Sequence, residues 1–402
     1  MAAGEPDIAT PAHLLWLTEH GHPSRGGMAT SSERIVAGLR AQGLRVDIVH
    51  LTAAGGASEE RIEQGGRRIL AALGDDVAHG LNLLWSTRLG PLANSVPPYT
   101  HVIGFGGQVP LLAAPVFAAW LGVPLITLLR GNDFDAGVFQ AQRRAVLDDA
   151  IRRSARVATV SCDMQARVRA LHPHAAVALV CNGIAGESWQ ALPSDRARAA
   201  AWRAGHVGAD RLLLGCIGQI KAKKGGVFLI EAIAQAGLER RIHLGFVGEV
   251  EAEVRDAVAA HPELSASFDD AIDRYALLPY YLACDSVAIP SWYDGMPNVL
   301  LEAGALGVPV LASRAGGIAD VIDTPELGWT FAPGDLAGCA QNLLHWAGLD
   351  PAARAACGLA LKHRVLHDFS AAHETRAYRV LLQETHAEAK ARDAVRRAAD
   401  AA

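Results

Sequence analysis

Residues 290–302 read Pro-Ser-Trp-Tyr-Asp-Gly-Met-Pro-Asn-Val-Leu-Leu-Glu. Asp294 stands on a Gly/Pro turn, and eight residues later Glu302 lies inside an apolar run with Val299, Leu300, Leu301, Ala303, Ala305 and Leu306. Pro297 falls where a first helical residue would, because its fixed φ suits that position and its missing N–H is not needed there. The turn thus offers the Asp294 carboxylate, then the backbone N–H groups of Gly295, Met296 and Asn298 at a helix start, then a second carboxylate about 8 Å into the helix. Helix starts attract phosphate, and carboxylates accept well from hydroxyls. That order of hydroxyl, phosphate and hydroxyl readers is the layout of a nucleotide-activated sugar. Glu302 sits among core-facing positions, where a carboxylate without a partner is costly, so it is expected to have one.

A second segment, Gly218-Gln-Ile-Lys-Ala-Lys-Lys-Gly225, ends a strand and brings Lys221, Lys223 and Lys224 to a Gly-opened helix. Cations beside a helix start hold a diphosphate and stabilise departing charge; a solvated basic loop is the plainer reading. Neither this segment nor 21–27 is a P-loop, because no GxxxxGK[ST] occurs. Gly26-Gly27 permits close backbone approach to a ligand. The Gly104-Phe-Gly-Gly107 run lacks the full dinucleotide fingerprint, so no nicotinamide cofactor follows from it. Arg130-Gly-Asn-Asp-Phe-Asp135 carries both signs of charge: Asp133 could accept from a sugar hydroxyl, while Arg130 and Asn132 could meet phosphate or the acceptor. The plainer reading is a salt-bridged turn. Asp133 and Asp135 alone make a weak metal signal, and no metal is expected. His20 and His22 flank the first Gly loop and could touch substrate. No HExxH pair and no GxSxG nucleophile elbow appear.

These residues need elements to place them. His13–Thr18 reads as a strand, the Gly loop follows, and a helix runs near 29–42. Arg45–Leu51, His101–Gly104, Leu125–Leu129, Val157–Ser161 and Val177–Cys181 read as later strands. Residues 184–210 are poorly periodic and read as a hinge. The pattern then restarts with a strand over Leu212–Ile220, a helix over Gly225–Ala236, and strands over Ile242–Val247, Ser286–Pro290 and Val308–Ser313. After Phe369 the chain is helical, ending in an Ala-rich charged tail over 386–402. Strands alternating with helices make parallel sheets covered on both faces. Ligands bind outside the carboxyl ends of such strands, and most of the candidate residues fall just after strands. Two such units facing each other would enclose a cleft, the usual place for a small-molecule site.

The 402 residues, 50% hydrophobic and 20% charged, suit a globular chain of two domains. The net charge of -5 leaves no general basic surface for nucleic acid or anionic lipid. Six scattered cysteines form no CxxC pair and read as buried free thiols of a reducing cytoplasm. Met1–Thr10 has no apolar core, so no signal peptide is read there. Leu111–Leu129 carries no charge and is long enough to span a bilayer. Pro115, Gly122 and Pro124 break it into a buried helix (about 109–121), a turn and a buried strand.

The residues from Pro290-Ser291 to Gly317, with Asp294 and Glu302 in the E-x7-E arrangement, resemble the donor signature of retaining family-4 glycosyltransferases of the GT-B fold. Gly26-Gly27 resembles that family's first Gly loop, and Ser161 and Asn182-Gly183 stand where it has its Ser and Asn-Gly landmarks. Gly218–Gly225 resembles its diphosphate loop, and Gly316-Gly317 with Asp320 its GG-x-x-E. The resemblance spans nearly the whole chain, in order. It implies two doubly wound Rossmann-like domains facing across a cleft, an acceptor-side domain over 1–184, a donor-side domain over 185–368, and a final helix and tail over 369–402 crossing back to the first domain. It implies a metal-independent retaining transfer of a hexose-type sugar from a UDP- or GDP-sugar to a glycan, lipid-linked or small-molecule acceptor, with no cofactor. The alternatives are a non-catalytic sugar-nucleotide-binding subunit and a GT-B epimerase. By the resemblance Asp294 reads donor hydroxyls, Gly295 to Asn298 reach sugar and phosphate, Glu302 holds the ribose, and Lys224 holds the diphosphate. The leaving diphosphate itself receives the acceptor proton. A lipid-linked acceptor would bring the chain to the inner face of a membrane as a peripheral protein. Three departures stand out. Gln219 replaces the usual Arg, Asp294 the usual longer Glu, and Arg130–Asp133 a His-containing loop.

Overall fold

A computed structural model describes residues 12–21, 26–53, 56, 58–94, 97–270 and 274–400. The expectations for Met1–Thr10 and for His22 lie outside them. The chain divides into two compact units, the first made of residues up to Val160, Met164–Val180 and Glu374 onward, the second of Ser161–Asp163 and Cys181–His373.

The first unit carries strands β1 (His13–Thr18), β2 (Arg45–Thr52), β3 (Glu59–Glu63), β4 (Gly66–Ala72), β5 (His101–Phe105), β6 (Leu125–Leu129), β7 (Arg156–Thr159) and β8 (Val177–Leu179). They form one sheet in the order β3-β4-β2-β1-β5-β6-β7-β8, with all neighbours parallel except β3 and β4. Strand β1 shows why it is central. Leu14 and Trp16 point into one apolar cluster, Leu15 and Leu17 into the other, so both faces are covered. The cluster around Trp16 is completed by Tyr378, Leu381 and Leu382 of the last helix, Ala371–Asp400.

The second unit carries β9 (Leu212–Ile217), β10 (Ile242–Val247), β11 (Ser265–Asp269), β12 (Ser286–Ile289), β13 (Val310–Ser313) and β14 (Trp329–Phe331). They form a fully parallel sheet in the order β11-β10-β9-β12-β13-β14. The order reverses direction between β9 and β12, which puts a topological switch point at their carboxyl ends.

Several expectations need correction. The break between units falls after Val180 rather than after residue 184. Asn182 donates to the Met296 carbonyl at 2.7 Å, and Ile184 bridges to Ser370, so both are tied into the second unit. The stretch 184–210 is not a loose hinge: it holds a helix over Pro193–His206, opened by Pro193 and by an Asp195 carboxylate that accepts from Leu192 N. The hairpin β3–β4 escapes the periodicity because β3 is an exposed, charged edge. Cross-strand pairs hold it, Arg67 with Glu60 and Arg68 with Glu63, each at 2.7 Å. Cys162 is exposed, while Cys216 and Cys339 are buried. The uncharged stretch resolves into a helix over Val109–Leu121, a left-handed Gly122 at φ 65 and β6. No helix among the described residues is long and apolar enough to cross a membrane.

Candidate functional site

The carboxyl ends of β9 and β12 carry the two segments richest in candidate chemistry. Strand β9 runs into Gly218 and a short turn over Ala222–Lys224. Gly225, at φ +71, then opens the helix Gly226–Gln235. Strand β12 runs into residues 290–297, and the next helix covers Asn298–Leu306. Pro297 is its cap at φ -70 and ψ 129, one residue earlier than its expected place inside the helix.

Glycines allow these loops to lie against each other. A Cβ on Gly225 would run into the Pro290 carbonyl, and one on Gly316, at φ +51, into the Asp294 carbonyl. Gly317 N donates to the Gly295 carbonyl at 2.5 Å. The signature turn is therefore clamped from both sides by backbone.

On this frame Lys224 and Asp294 form an ion pair, both side chains mostly buried. The other Asp294 oxygen accepts from Gly295 N at 3.0 Å. The Gly295 N–H, expected to face a ligand, is thus held by Asp294 itself. Met296 is buried and fixed through its carbonyl by Asn182, while Asn298 is half-buried at the helix start. Glu302 has the expected partner, since Tyr281 donates its hydroxyl at 2.6 Å. Burial, and then the Glu302 charge, drive the Tyr281 hydroxyl well above its ordinary pKa, so it stays a donor. Gln219 donates to Glu249 at 3.0 Å, so an acid stands beside the position where the resemblance expects a cation. Lys223 lies over the Tyr293 ring at 5.4 Å. A cavity of about 30 Å³ opens beside Lys224, Ser291, Pro297 and Val299. Cys162, next to the Ser161 landmark, donates its N–H to Asp320 at 2.9 Å.

The remaining candidates lie in the first unit, at the carboxyl ends of its own strands. Gly26 caps the helix Gly27–Ala41 at φ 128. A Cβ there would meet nothing within 4 Å, so conformation rather than space demands glycine. The Asp133 carboxylate accepts from Arg130 N at 2.8 Å and Gly131 N at 2.7 Å, closing its own turn. Burial raises its pKa against those amides. Arg130 is buried, bonded to the Tyr378 hydroxyl at 3.0 Å and lying over Phe105 at 5.4 Å. Its guanidinium joins the last helix to the sheet. Asn132 is exposed. Asp135 pairs with Arg167 at 2.8 Å and not with Asp133. Among the described residues no three His, Cys, Asp or Glu side chains are grouped to hold a metal. His20 is half-buried, and burial lowers its pKa.

Sequence reasoning missed Tyr281, Glu249 and Glu19. Glu19 accepts from Gln108 N at 3.0 Å and Val109 N at 2.5 Å. Only its place just after β1 could have signalled it.

Residues 26–183 match the family described as glycosyl transferase 4-like domain, and residues 211–347 the family described as glycosyl transferases group 1. Over 276 residues the chain is 27% identical to the glycogen synthase of Mycobacterium tuberculosis, covering 64% of this chain and 63% of that protein. The alignment thus spans less than two thirds of that relative. Among solved structures, sucrose-phosphate synthase from Thermosynechococcus elongatus superposes with a TM-score of 0.79 at 19% identity, covering 94% of this chain and all of the other. Anabaena HepE, solved with UDP and glucose, gives 0.72 at 18% identity, covering 93% of this chain and all of the other. At these identities the likeness is one of fold, two parallel-sheet Rossmann-like domains of the GT-B kind.

Proposed function

We propose that this chain, whose two halves are a glycosyl transferase 4-like domain and a glycosyl transferases group 1 domain, transfers a hexose-type sugar from a nucleoside diphosphate sugar to an acceptor hydroxyl, with retention and without a metal. The observation that carries the reading is the Lys224–Asp294 pair, clamped by glycines at the switch point of the second sheet. A diphosphate offers Lys224 more charge than one carboxylate does. Its arrival draws the ammonium away and frees Asp294 to accept from donor hydroxyls. Lys224 then stabilises the charge that develops as the glycosidic C–O bond breaks. The acceptor oxygen bonds the anomeric carbon on the face the diphosphate leaves, and its proton passes to the departing phosphate oxygen. Glu302, aimed by Tyr281, accepts from the ribose hydroxyls. HepE binds UDP and glucose, and the mycobacterial relative is named for making a polysaccharide. Both favour a UDP-sugar donor and a glycan acceptor for this chain.

A second reading, a sugar-nucleotide-binding subunit without turnover, is favoured by one observation. Gln219 and Glu249 put a neutral amide and an acid at the diphosphate loop. Incubation with a panel of nucleotide sugars, with and without chelator, separates the two. Nucleoside diphosphate release that survives chelator supports transfer without metal. Thermal stabilisation by UDP or GDP with no release on any acceptor favours the subunit. Activity abolished by chelator overturns the metal-free mechanism.

A further inference from the structure

The Gly104-Phe-Gly-Gly107 run has no part in the proposed donor chemistry, yet the structure gives its last two glycines a specific use. Gly107 is at φ +75, and a Cβ there would press on the Glu19 carboxylate. Gly106 is at φ +50, and a Cβ there would collide with Met28 and approach Asp133 Oδ2 at 3.3 Å. Gly107 makes room for the Glu19 carboxylate, and Gly106 lies beside Met28 and close to the Asp133 carboxylate. Glu19 accepts from Gln108 N and Val109 N, at the start of the helix Val109–Leu121. Asp133 accepts from Arg130 N and Gly131 N, in the turn after β6. These are the backbone amides at the carboxyl ends of β5 and β6 that an anionic ligand would use.

Among the described residues, the nearby cations are committed as well. The Arg130 guanidinium is buried against Tyr378, and Arg34 is bonded to Glu374 at 2.7 Å. Arg68 is paired with Glu33 and Glu63. His20, whose pKa burial lowers, adds no charge near neutrality.

From this arrangement we infer that Glu19 and Asp133 set the acceptor class, making the carboxyl edge of the first sheet a seat for an uncharged polyhydroxylated sugar and excluding a phosphate ester. The two carboxylates fill the amide seats, and the charge of Glu19 repels a second anion. Their remaining lone pairs accept from hydroxyls. The inference rests on the proposed transferase reading for its donor, and the test keeps the two apart.

Donor competence is measured first, as thermal stabilisation by UDP or GDP and slow donor hydrolysis without acceptor. Failure there sinks the transferase reading alone. With the donor nucleotide saturating, inorganic phosphate is then titrated against the full chain. No saturable stabilisation of the parent protein is expected. Glu19→Gln keeps an accepting oxygen for the two amides while removing the charge, and Glu19→Ala opens the seat. Both should gain phosphate-dependent stabilisation, the alanine variant more. Matched acceptor pairs, such as glucose with glucose 6-phosphate and inositol with inositol phosphate, should show kcat/KM lower for the ester by roughly tenfold or more. A parent protein that binds phosphate beside saturating nucleotide, with no increase in either variant, overturns the inference. So does faster transfer to the phosphate ester than to its neutral counterpart.

Discussion

At the scale of single residues, the two acids of the signature turn have different surroundings and so different expected losses. Asp294 is held by Lys224 and by Gly295 N, close to where the sugar and phosphate are proposed to lie. Glu302 is held by Tyr281, inside the helix. Asp294→Ala is expected to cut sugar transfer by about 10²–10³, the cost of losing one preorganised polar contact, while changing UDP affinity little. Glu302→Ala should weaken UDP binding by about tenfold, as the loss of a charged hydrogen bond does. Calorimetric titration with UDP beside a turnover assay measures the split. Equal loss of UDP affinity in both variants would contradict the roles given to them. Tyr281→Phe is a finer test. Tyr281 is fully buried, so the ring keeps its packing and only the bond to Glu302 goes. A net loss of about 1 kcal/mol, or roughly fivefold in UDP affinity, is expected. An unchanged affinity would show that Glu302 needs no aiming.

At the scale of elements, the glycines do more than relieve strain, because they let separate loops share one site. Gly316 lies against Asp294 and Gly225 against Pro290, so the positions of Lys224 and Asp294 depend on backbone contacts distant in sequence. Gly316→Ala is therefore expected to lower both thermal stability and UDP affinity, because a left-handed φ and a carbonyl collision coincide. The strain is about 1–3 kcal/mol from the conformation alone. Gly237, also left-handed at φ +66 but with open space around its Cβ position, provides the control. Gly237→Ala should cost stability without touching UDP affinity, and if UDP affinity falls equally in both, the clamp account fails. This level also marks what the sequence makes legible. The alternation Leu14/Leu15/Trp16/Leu17 and the restart at Leu212 reveal two parallel sheets, because burial on both faces leaves continuous apolar runs. The hairpin at Glu59–Ala72 is not legible, because its partners are charges matched across strands. Nor is the helix Pro193–His206, whose alternating Ala and Arg hide a narrow buried face. Asp294, Lys224 and Glu302 are legible from spacing. Tyr281 and Glu19 are not, because what matters is where they end up in three dimensions.

At the scale of the whole molecule, both units bury neutral histidines, and that sets how the fold responds to acid. His101 on β5 lies within 3.1 Å of the Leu382 carbonyl, and burial, reinforced by His386, takes its pKa down to about 4. His243 on β10 is buried between Ser265 and Ser267, and burial, then Arg211, His206 and Arg203, take it to about 4 as well. An unfolded histidine titrates near 6.5. Between these values the unfolded chain binds protons that the folded chain refuses, so stability is complete above about pH 6.5 and falls as the pH drops toward 4. For His101 the loss is about 2 kcal/mol by pH 5, and His243 adds to it with the same sign. Asp47 does not contribute in this window. Burial pushes it up, but His13, Tyr99 and Arg67 outweigh that and hold it below its ordinary 3.8, so its share is lost only in stronger acid. Asp133 acts in the opposite direction, because burial raises its pKa and protonation relieves the fold as the pH falls. The net slope therefore mixes signs, and a variant is needed to read it. Urea midpoints followed by tryptophan fluorescence should fall from pH 7 to pH 5 in the parent chain. His101→Gln, which retains a donor for the Leu382 carbonyl and cannot take the proton, should flatten that fall by about the 2 kcal/mol assigned to His101. The same slope in parent and variant would show that His101 gains its proton as readily in the folded chain as in the unfolded one.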